Sequence, residues 1–524
     1  MLRGKCYQII ARLAAVGAGL AMLAGGACSS DRTRPSRIPE DGSVTVAIES
    51  APAELDPRIG ADQASGRAHE LLYDGLVEWD MHAQLVPALA ERWEVLDDGL
   101  RWRFHLRPGV RFHDGRALTS ADVVWTLQSV LDGSVTTSKR GALQAVHSAV
   151  AVDPLTVDLV LTEPFSALLA ELTSGFGIVP AGTTPAMTNR SPIGTGPFRY
   201  AARSADALEL LANPEAFRGK PQISRLVLKG VPDTTVRALE LLKGSAQLVV
   251  NDLAPDAIPA FAADPRFRVA EQPGASFVYL GLNFHDPLLA KRQVRQAIER
   301  AIDREQIVRT LWRDTGIVSE TIFPPGHWAR DETLAPVPFD PAGAKHLLDA
   351  AGFPDPDGDG PRPRFRLVYK TSTAEMSQLQ AQAVQAMLGA VGIEVEIRTA
   401  EFAALYEDIR RANFQLFSLT RTAVLEPNVF RLMLHSKSLP PNGQNRGGYA
   451  NAEFDAAIEA AGRTTDQEAR RILYTKAQEI FADDLPYILL LVKKNVAVMP
   501  RELEGYANYP NAAFTVLRDL RWSR

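Results

Sequence analysis

Few residues in this chain have types and spacing that bear on chemistry. In Phe353-Pro354-Asp355-Pro356-Asp357-Gly358-Asp359-Gly360 three aspartates alternate before a glycine, as they do at the start of a calcium-binding loop. The last position of such a loop must supply a bidentate carboxylate. Here that position is Arg366, so the stretch reads as an Asp/Gly turn. The nine histidines include no HExxH spacing and no Cys/His cluster, so no metal site is predicted. His105 and His113 fall on a strand and at a turn, where structural roles are expected. Gly194 and Gly196 form a GxG pair, but the third glycine and the helix of a dinucleotide fingerprint are missing. There is no GxSxG, no P-loop and no interpretable Ser/Cys–His arrangement. The expectation is a chain that binds and does not catalyse, without metal or cofactor.

The cysteines carry a sharper signal. Only Cys6 and Cys28 occur. Arg3 and Lys5 precede an apolar stretch from about Leu13 to Leu23, then Ala24-Gly25-Gly26-Ala27 and Cys28. That is a charged n-region, a hydrophobic stretch too short to span a bilayer, and a small-residue cleavage zone. Cleavage after residue 27 would leave Cys28 first in the mature chain, with no disulfide partner. The stretch resembles a bacterial lipobox, with Gly25 where a branched apolar residue usually stands, and this implies a lipid on Cys28. Residues 28–42, with Pro35 and Pro39, read as a tether. The net charge of −5 becomes more negative once Arg3, Lys5 and Arg12 leave, which suits a soluble body held beside a membrane. No basic run with interleaved aromatics is present, which argues against nucleic acid as a partner.

The elements that must position any site are mixed strands and helices, so the class is α/β. At 524 residues the chain is long enough for two or three cores. Residues 43–48 alternate as a half-buried strand, and helix is predicted from His69 to Leu76, ending about Gly75. Residues 102–106 and 110–112 are predicted as strands broken by Pro108-Gly109. Thr119 to Asp122 has capping-box spacing before the helical face Val123, Val124, Leu127 and Val130. Helix is predicted from Thr234 to Leu242 and strand over 244–251 and 279–283. Asp303 and Gln306 are placed to cap a helix, further helices are expected over 344–351 and 378–391 and near Ala452 and Glu468, and 488–492 reads as a buried strand.

Three ordered blocks carry a resemblance. The densest is Pro87-Ala88-Leu89-Ala90-Glu91-Arg92-Trp93-Glu94, with Asp98-Gly99, Trp102 to Leu106, Arg107-Pro108-Gly109-Val110, Phe112-His113-Asp114-Gly115 and Leu118 to Val123. The second is Pro192-Ile193-Gly194-Thr195-Gly196-Pro197-Phe198. The third is Asn283, followed by Val294 to Ile298 and Ala301 to Glu305. Together they resemble the bacterial extracellular solute-binding proteins that include dipeptide, oligopeptide and nickel binders. The resemblance implies a two-lobed periplasmic-binding-protein-like fold of type II, in its large form with an extra subdomain. The implied division is 43–76, 187–277 and 488–524 for lobe I, 77–186 for the inserted subdomain and 278–487 for lobe III. It also implies a small solute such as a peptide, ABC permease and ATPase partners, a monomer, and an extracytoplasmic location at the cell envelope.

Site residues follow from the same resemblance. In peptide-binding members an aspartate shortly before an acidic residue and proline anchors the peptide amino group. Counting back from Glu426-Pro427, Ala423 stands there, and Arg421 adds positive charge nearby. The expectation is a cleft for a neutral or anionic group with Arg421 as donor. Asp62, Gln63 and Ser65 lie in the early loop that lines the cleft in relatives. Lys370 and Thr371 end a strand where some members hold a carboxylate-binding base. Arg446-Gly447-Gly448-Tyr449 follows a polar loop, and its glycines allow close backbone approach to a ligand. Trp312 and Trp328 are rings able to stack on a ligand, though packing is their expected role.

Overall fold

The computed structural model describes residues 38–60, 62–358, 360–441 and 443–523. The leader, Cys28, most of the tether and Asp359 lie outside them. The first sheet has four strands in the order Val44–Ile48, Arg225–Gly230, Ala207–Ala212 and Phe198–Arg203, the first pair parallel and the others antiparallel. Val44, Val46, Ile48, Leu208, Leu210, Leu226 and Leu228 come from alternating positions and share a core with Ala64, Ala68, Leu71 and Leu72. Those four lie at helical spacing on Gln63–Leu72.

That helix corrects the sequence expectation. It starts at Gln63, where the Asp62 carboxylate accepts the Ser65 N–H at 2.8 Å, and it ends at Leu72. The chain leaves the helix at Tyr73, whose backbone is extended, and Gly75 is then pressed onto backbone, where an added Cβ would lie 2.3 Å from the Thr173 carbonyl carbon. Of residues 244–251 only Val249–Val250 is strand, and residues 110–112 hold only the bridge of Arg111 to Ala117.

A second, all-antiparallel sheet orders Ala90–Leu96, Arg101–Leu106, Thr156–Leu161 and Val146–Asp153. Its inward residues Trp102, Phe104 and Leu106 pack with Val123, Leu127 and Val130 of the helix Ser120–Leu131, whose Thr119/Asp122 capping box is formed. Two of the sequence blocks meet here. His113 N donates to Gly194 O at 2.8 Å, Gly194 N donates to His113 Nδ1 at 3.2 Å, and His113 Nε2 lies 3.1 Å from Gly196 O. The ring is therefore a neutral imidazole with both nitrogens engaged, and burial lowers its pKa to about 4.

The third sheet has seven strands and joins the two lobes. Its spine is the antiparallel pair Phe267–Leu282 and Tyr487–Pro500. The half containing Phe267, Val496, Ala497, Val498 and Met499 packs with the first lobe. The half containing Phe277–Leu282 and Tyr487–Val492 packs with the other lobe. The changeover is a bulge, where the register slips between Pro273 and Ser276. Gly274 is needed there, since a Cβ would meet Asn495 Oδ1 at 2.6 Å. Asn495 accepts from Asn251 Nδ2 at 2.9 Å and donates to Tyr509 O and Pro510 O at 2.7 and 2.9 Å. Ala275 N donates to Pro510 O, and Ala275 O accepts from Val424 N, both at 2.7 Å.

Beyond the spine the sheet continues with Leu416–Arg421, Phe365–Ser372 and Ile393–Ala400, which run parallel to one another. Helix Glu375–Gly389 packs across them through Ala381, Val384 and Leu388. Asp303 caps the helix Arg304–Thr310 through the Gln306 N–H at 2.8 Å, as its spacing suggests.

A stability prediction arises from the first lobe. The Glu70 carboxyl accepts the Phe514 N–H at 2.5 Å, and burial raises its pKa from 4.5 to about 7. A raised carboxylate contributes stability below its unfolded pKa of 4.5 and loses it as pH rises through about 7. Glu70→Gln is therefore expected to gain stability relative to the parent at about pH 8 but not at about pH 5, by roughly 1–3 kcal/mol. Urea denaturation at the two pH values checks it.

Candidate functional site

Two cavities adjoin at Trp312 and Met376, which line both. The larger, of about 440 Å³, lies beyond the carboxyl ends of the parallel strands Phe365–Ser372 and Leu416–Arg421. In open α/β sheets ligands settle at such strand ends. Ser372 and Arg421 are the last residues of those strands and line the cavity. The other cavity, of about 390 Å³, runs between the lobes, with Leu253 and Ile258 on one side, Leu379 on the other and Lys493 from the spine.

Arg421 is placed by strand register, paired across the sheet with Phe277 just past the bulge. Arg446 is placed by its neighbour. The buried Asn445 donates Nδ2 to the carbonyls of Leu434, His435 and Tyr449 and accepts Tyr449 N at 3.0 Å, closing the loop that presents Arg446. Gly447 and Gly448 do bring backbone close, but to protein. A Cβ on Gly447 would lie 2.2 Å from Leu282 O, and one on Gly448, at φ +70°, would lie 2.3 Å from His285 Nε2. Tyr449 is buried, and its hydroxyl donates to Asp484 Oδ2 at 2.7 Å.

Among the described residues both guanidiniums are charges without counter-ions. Arg446 Nη2 donates to Tyr406 Oη at 2.7 Å, and its guanidinium carbon lies 4.9 Å from that ring's centre. Arg421 Nη1 donates to Gln444 Oε1 at 3.1 Å, while its Nε is buried without a partner. Burial, with Arg446 as a repelling neighbour, lowers the Arg421 pKa. Burial raises the Tyr279 pKa, so that phenol is neutral. Among the described residues neither arginine makes an ion pair, and no carboxylate lines the larger cavity. Ala374, Met376 and Ser377 also line it, at the start of the helix Glu375–Gly389, which has no side-chain N-cap. Main-chain N–H groups there add to the positive potential.

The remaining sequence candidates are engaged elsewhere. Asp62 caps a helix, Ser65 is buried with its Oγ accepting Glu54 N at 2.9 Å, and Gln63 is exposed on the first helical turn. Lys370 is paired with Asp408 at 2.7 Å, and Thr371 is buried with its Oγ1 3.3 Å from Ser377 O. None of these lines either cavity. Of the residues proposed from sequence, the structure brings together Arg421 and Arg446, with Trp312 beside them. Trp328 instead contacts the Arg470 guanidinium at 5.0 Å, away from this site. Sequence reasoning missed Tyr279, Tyr406, Phe402 and Gln380. A usable signal was that Leu416–Arg421 turns polar toward its carboxyl end, at Ser418, Thr420 and Arg421, as Phe365–Ser372 does at Lys370–Ser372.

Similarity to known proteins agrees with this architecture. The family model described as bacterial extracellular solute-binding proteins, family 5 middle, matches residues 84–438. A probable di/tripeptide-binding protein of Pseudomonas aeruginosa is 28% identical over 499 residues, covering 89% of this chain and 93% of that protein. Haem-binding protein A of Haemophilus influenzae is 27% identical, covering 88% of this chain and 89% of its own. The solved structure of HbpA2 from Haemophilus parasuis superposes with a TM-score of 0.81 at 26% identity, covering 92% of this chain and all of that one.

Proposed function

Because the chain belongs to the bacterial extracellular solute-binding proteins of family 5, binding components of ABC importers and not enzymes, we propose that it captures a small solute in the interlobe cavities and hands it to a membrane permease by hinge closure. The observation that carries this reading is the position of the cavities. The smaller runs between the lobes and shares Trp312 and Met376 with the larger, whose lining comes from the 278–487 lobe, and the joining strands change neighbours at a bulge nearby. A solute touching both walls binds the closed form better than the open one, and that difference drives closure. About 5.5 kcal/mol of differential affinity converts a mostly open population to a mostly closed one.

We place the lobe boundary on the second joining strand at Lys493–Asn495 and not at 487/488, because Tyr487–Val492 pack with the 278–487 core. The remaining divisions are kept as read from sequence: residues 77–186 as the insert and 278–487 as lobe III. The relatives named for di- and tripeptides and for haem support a solute of that size class. Small-angle scattering of the chain, with and without a small-molecule filtrate of yeast extract, tests the reading. A smaller radius of gyration is expected with the filtrate, and an unchanged profile alongside an unchanged melting temperature overturns the proposal.

Attachment through a lipid on Cys28, at the extracytoplasmic face and as a monomer, completes the reading. In a phase-separating non-ionic detergent the protein is expected to enter the detergent phase when expressed in a lipoprotein-processing bacterium. Cys28→Ser should move it to the aqueous phase, and equal partitioning of the two would remove the anchor.

A further inference from the structure

The charge ledger of the two cavities differs from end to end. In the interlobe cavity Lys493 lies 5.4 Å from the centre of the Trp312 ring, with Asp252 as its nearest opposing charge. Asp252 also pairs with Arg67 at 2.7 Å, and Arg67 pairs with Glu49 at 2.7 Å, so these two cations face two carboxylates. Asp256 is paired with Arg313 at 2.5 Å. Glu375 also lines this cavity, but it is exposed and screened by water. The other end holds Arg421 and Arg446, close enough to repel; among the described residues no carboxylate lines their cavity, and the buried Arg421 Nε has no acceptor. Two desolvated guanidiniums without an anion are costly to hold. An ammonium brought into their cavity would meet only repulsion.

The space between the ends is apolar. Trp312 and Met376 line both cavities, Phe402 and Leu405 line the arginine end, and Leu253 and Ile258 line the far wall. Around the arginines stand neutral hydrogen-bonding groups, among them Gln380, Ser418 and Thr420. Such a trough fits a head that accepts two forked guanidinium donors and a body that covers apolar surface.

Building on the solute-binding reading, we infer that the solute is an organic anion without a free ammonium group, its carboxylate or phosphate head held between Arg421 and Arg446 and its apolar body lying along Met376 and Trp312. Peptides with a free amino terminus are poor solutes for this site, because neither end offers a buried, unpaired carboxylate to receive the ammonium.

The test uses a small-molecule filtrate of yeast extract in two portions, one of them first freed of ammonium-bearing acidic peptides on a cation exchanger at acid pH. Both are separated at mildly acidic pH, where α-amino groups stay protonated, on an anion-exchange resin into retained and flow-through fractions, and the retained fractions of both portions should act alike. Each fraction is added to the full protein and to Arg421→Gln, Arg446→Gln and Lys370→Gln, and melting temperatures are read. The expected result is stabilisation by the retained fraction alone. The two Arg variants should need roughly 10- to 100-fold more of it for the same shift, the effect of losing a hydrogen bond to a charged group. Lys370→Gln should respond as the parent does, since that ammonium is tied to Asp408 outside the cavity. Prior treatment of the retained fraction with a phosphomonoesterase separates the two head groups, since loss of activity identifies a phosphate monoester and persistence a carboxylate. Stabilisation by the flow-through, where zwitterionic peptides run, or equal responses from the parent and both Arg variants, overturns the anion assignment and leaves solute binding standing. Stabilisation by no fraction overturns both.

Discussion

Asp56→Ala is expected to lower the free energy of unfolding by roughly 3–5 kcal/mol, because it strands a buried cation. Both side chains of the Asp56–Arg58 pair are fully buried. Asp56 Oδ1 accepts from Arg58 Nε at 3.0 Å and Oδ2 from Nη2 at 2.6 Å, while Oδ1 also accepts the Arg58 main-chain N–H at 2.9 Å. The guanidinium continues to Ser129 Oγ and Thr183 O, both at 3.2 Å, tying the loop after the first strand to the helix Ser120–Leu131 and to the segment around Thr183. Removing the carboxylate leaves a charge that can neither neutralise nor reach water. The cost lies in the broken pair and not in the intact one, so Asp56→Leu combined with Arg58→Met should be markedly milder than the two single changes added together. Urea denaturation of the singles and the double checks this, and strict additivity would contradict it.

Gly194→Ala is expected to be at least as damaging, with a loss on the order of 4 kcal/mol or more. Its Cβ would fall 2.0 Å from Leu72 O and 2.6 Å from Tyr73 Cδ1, and the nearer atom is backbone at a helix end. Gly194 also cannot shift freely, since its amide and carbonyl are both bonded to His113. Gly115→Ala provides the contrast. That glycine sits at φ +86° with open space around its Cβ position, so only the left-handed backbone penalty of about 1–2 kcal/mol applies. Limited proteolysis should find the Gly194 variant cleaved around residues 73–76 and the Gly115 variant close to the parent in resistance.

The His113–Gly194 contact shows what could be read from sequence. Both blocks were recognisable as ordered motifs, and their glycine and histidine types already pointed to turns and close approach. The capping signals Thr119/Asp122 and Asp303/Gln306 were equally local and equally readable. The capping role of Asp62 was not legible because an aspartate before a helix has the same composition whether it caps or binds, and the helix was expected to start later. The pairing of Lys370 was not legible for another reason. Its counter-ion Asp408 lies on the helix Phe402–Arg410, and only folding brings it within 2.7 Å. Arg421 and Arg446 were picked out for their charge and loop position, but their lack of counter-ions is a property of the assembled cavity. The bulge between the lobes left a short trace in sequence that was not used: Lys493-Lys494-Asn495 interrupts the buried apolar runs 487–492 and 496–500, opposite Pro273 and Gly274, where the neighbours change.

Ala275 gives the joining strands a further property. The two sides of this residue are fastened to different bodies, its amide to Pro510 near the carboxyl terminus and its carbonyl to Val424, in the loop just past Arg421. Ala423 between them is held at φ +53°, with its N–H donated to Ser276 Oγ at 3.2 Å. Under the proposed closure, twisting the halves about the bulge would therefore also turn the loop that follows Arg421. Grip and angle would be geared through a single residue, and loosening the final turns of the chain should then weaken capture from a distance.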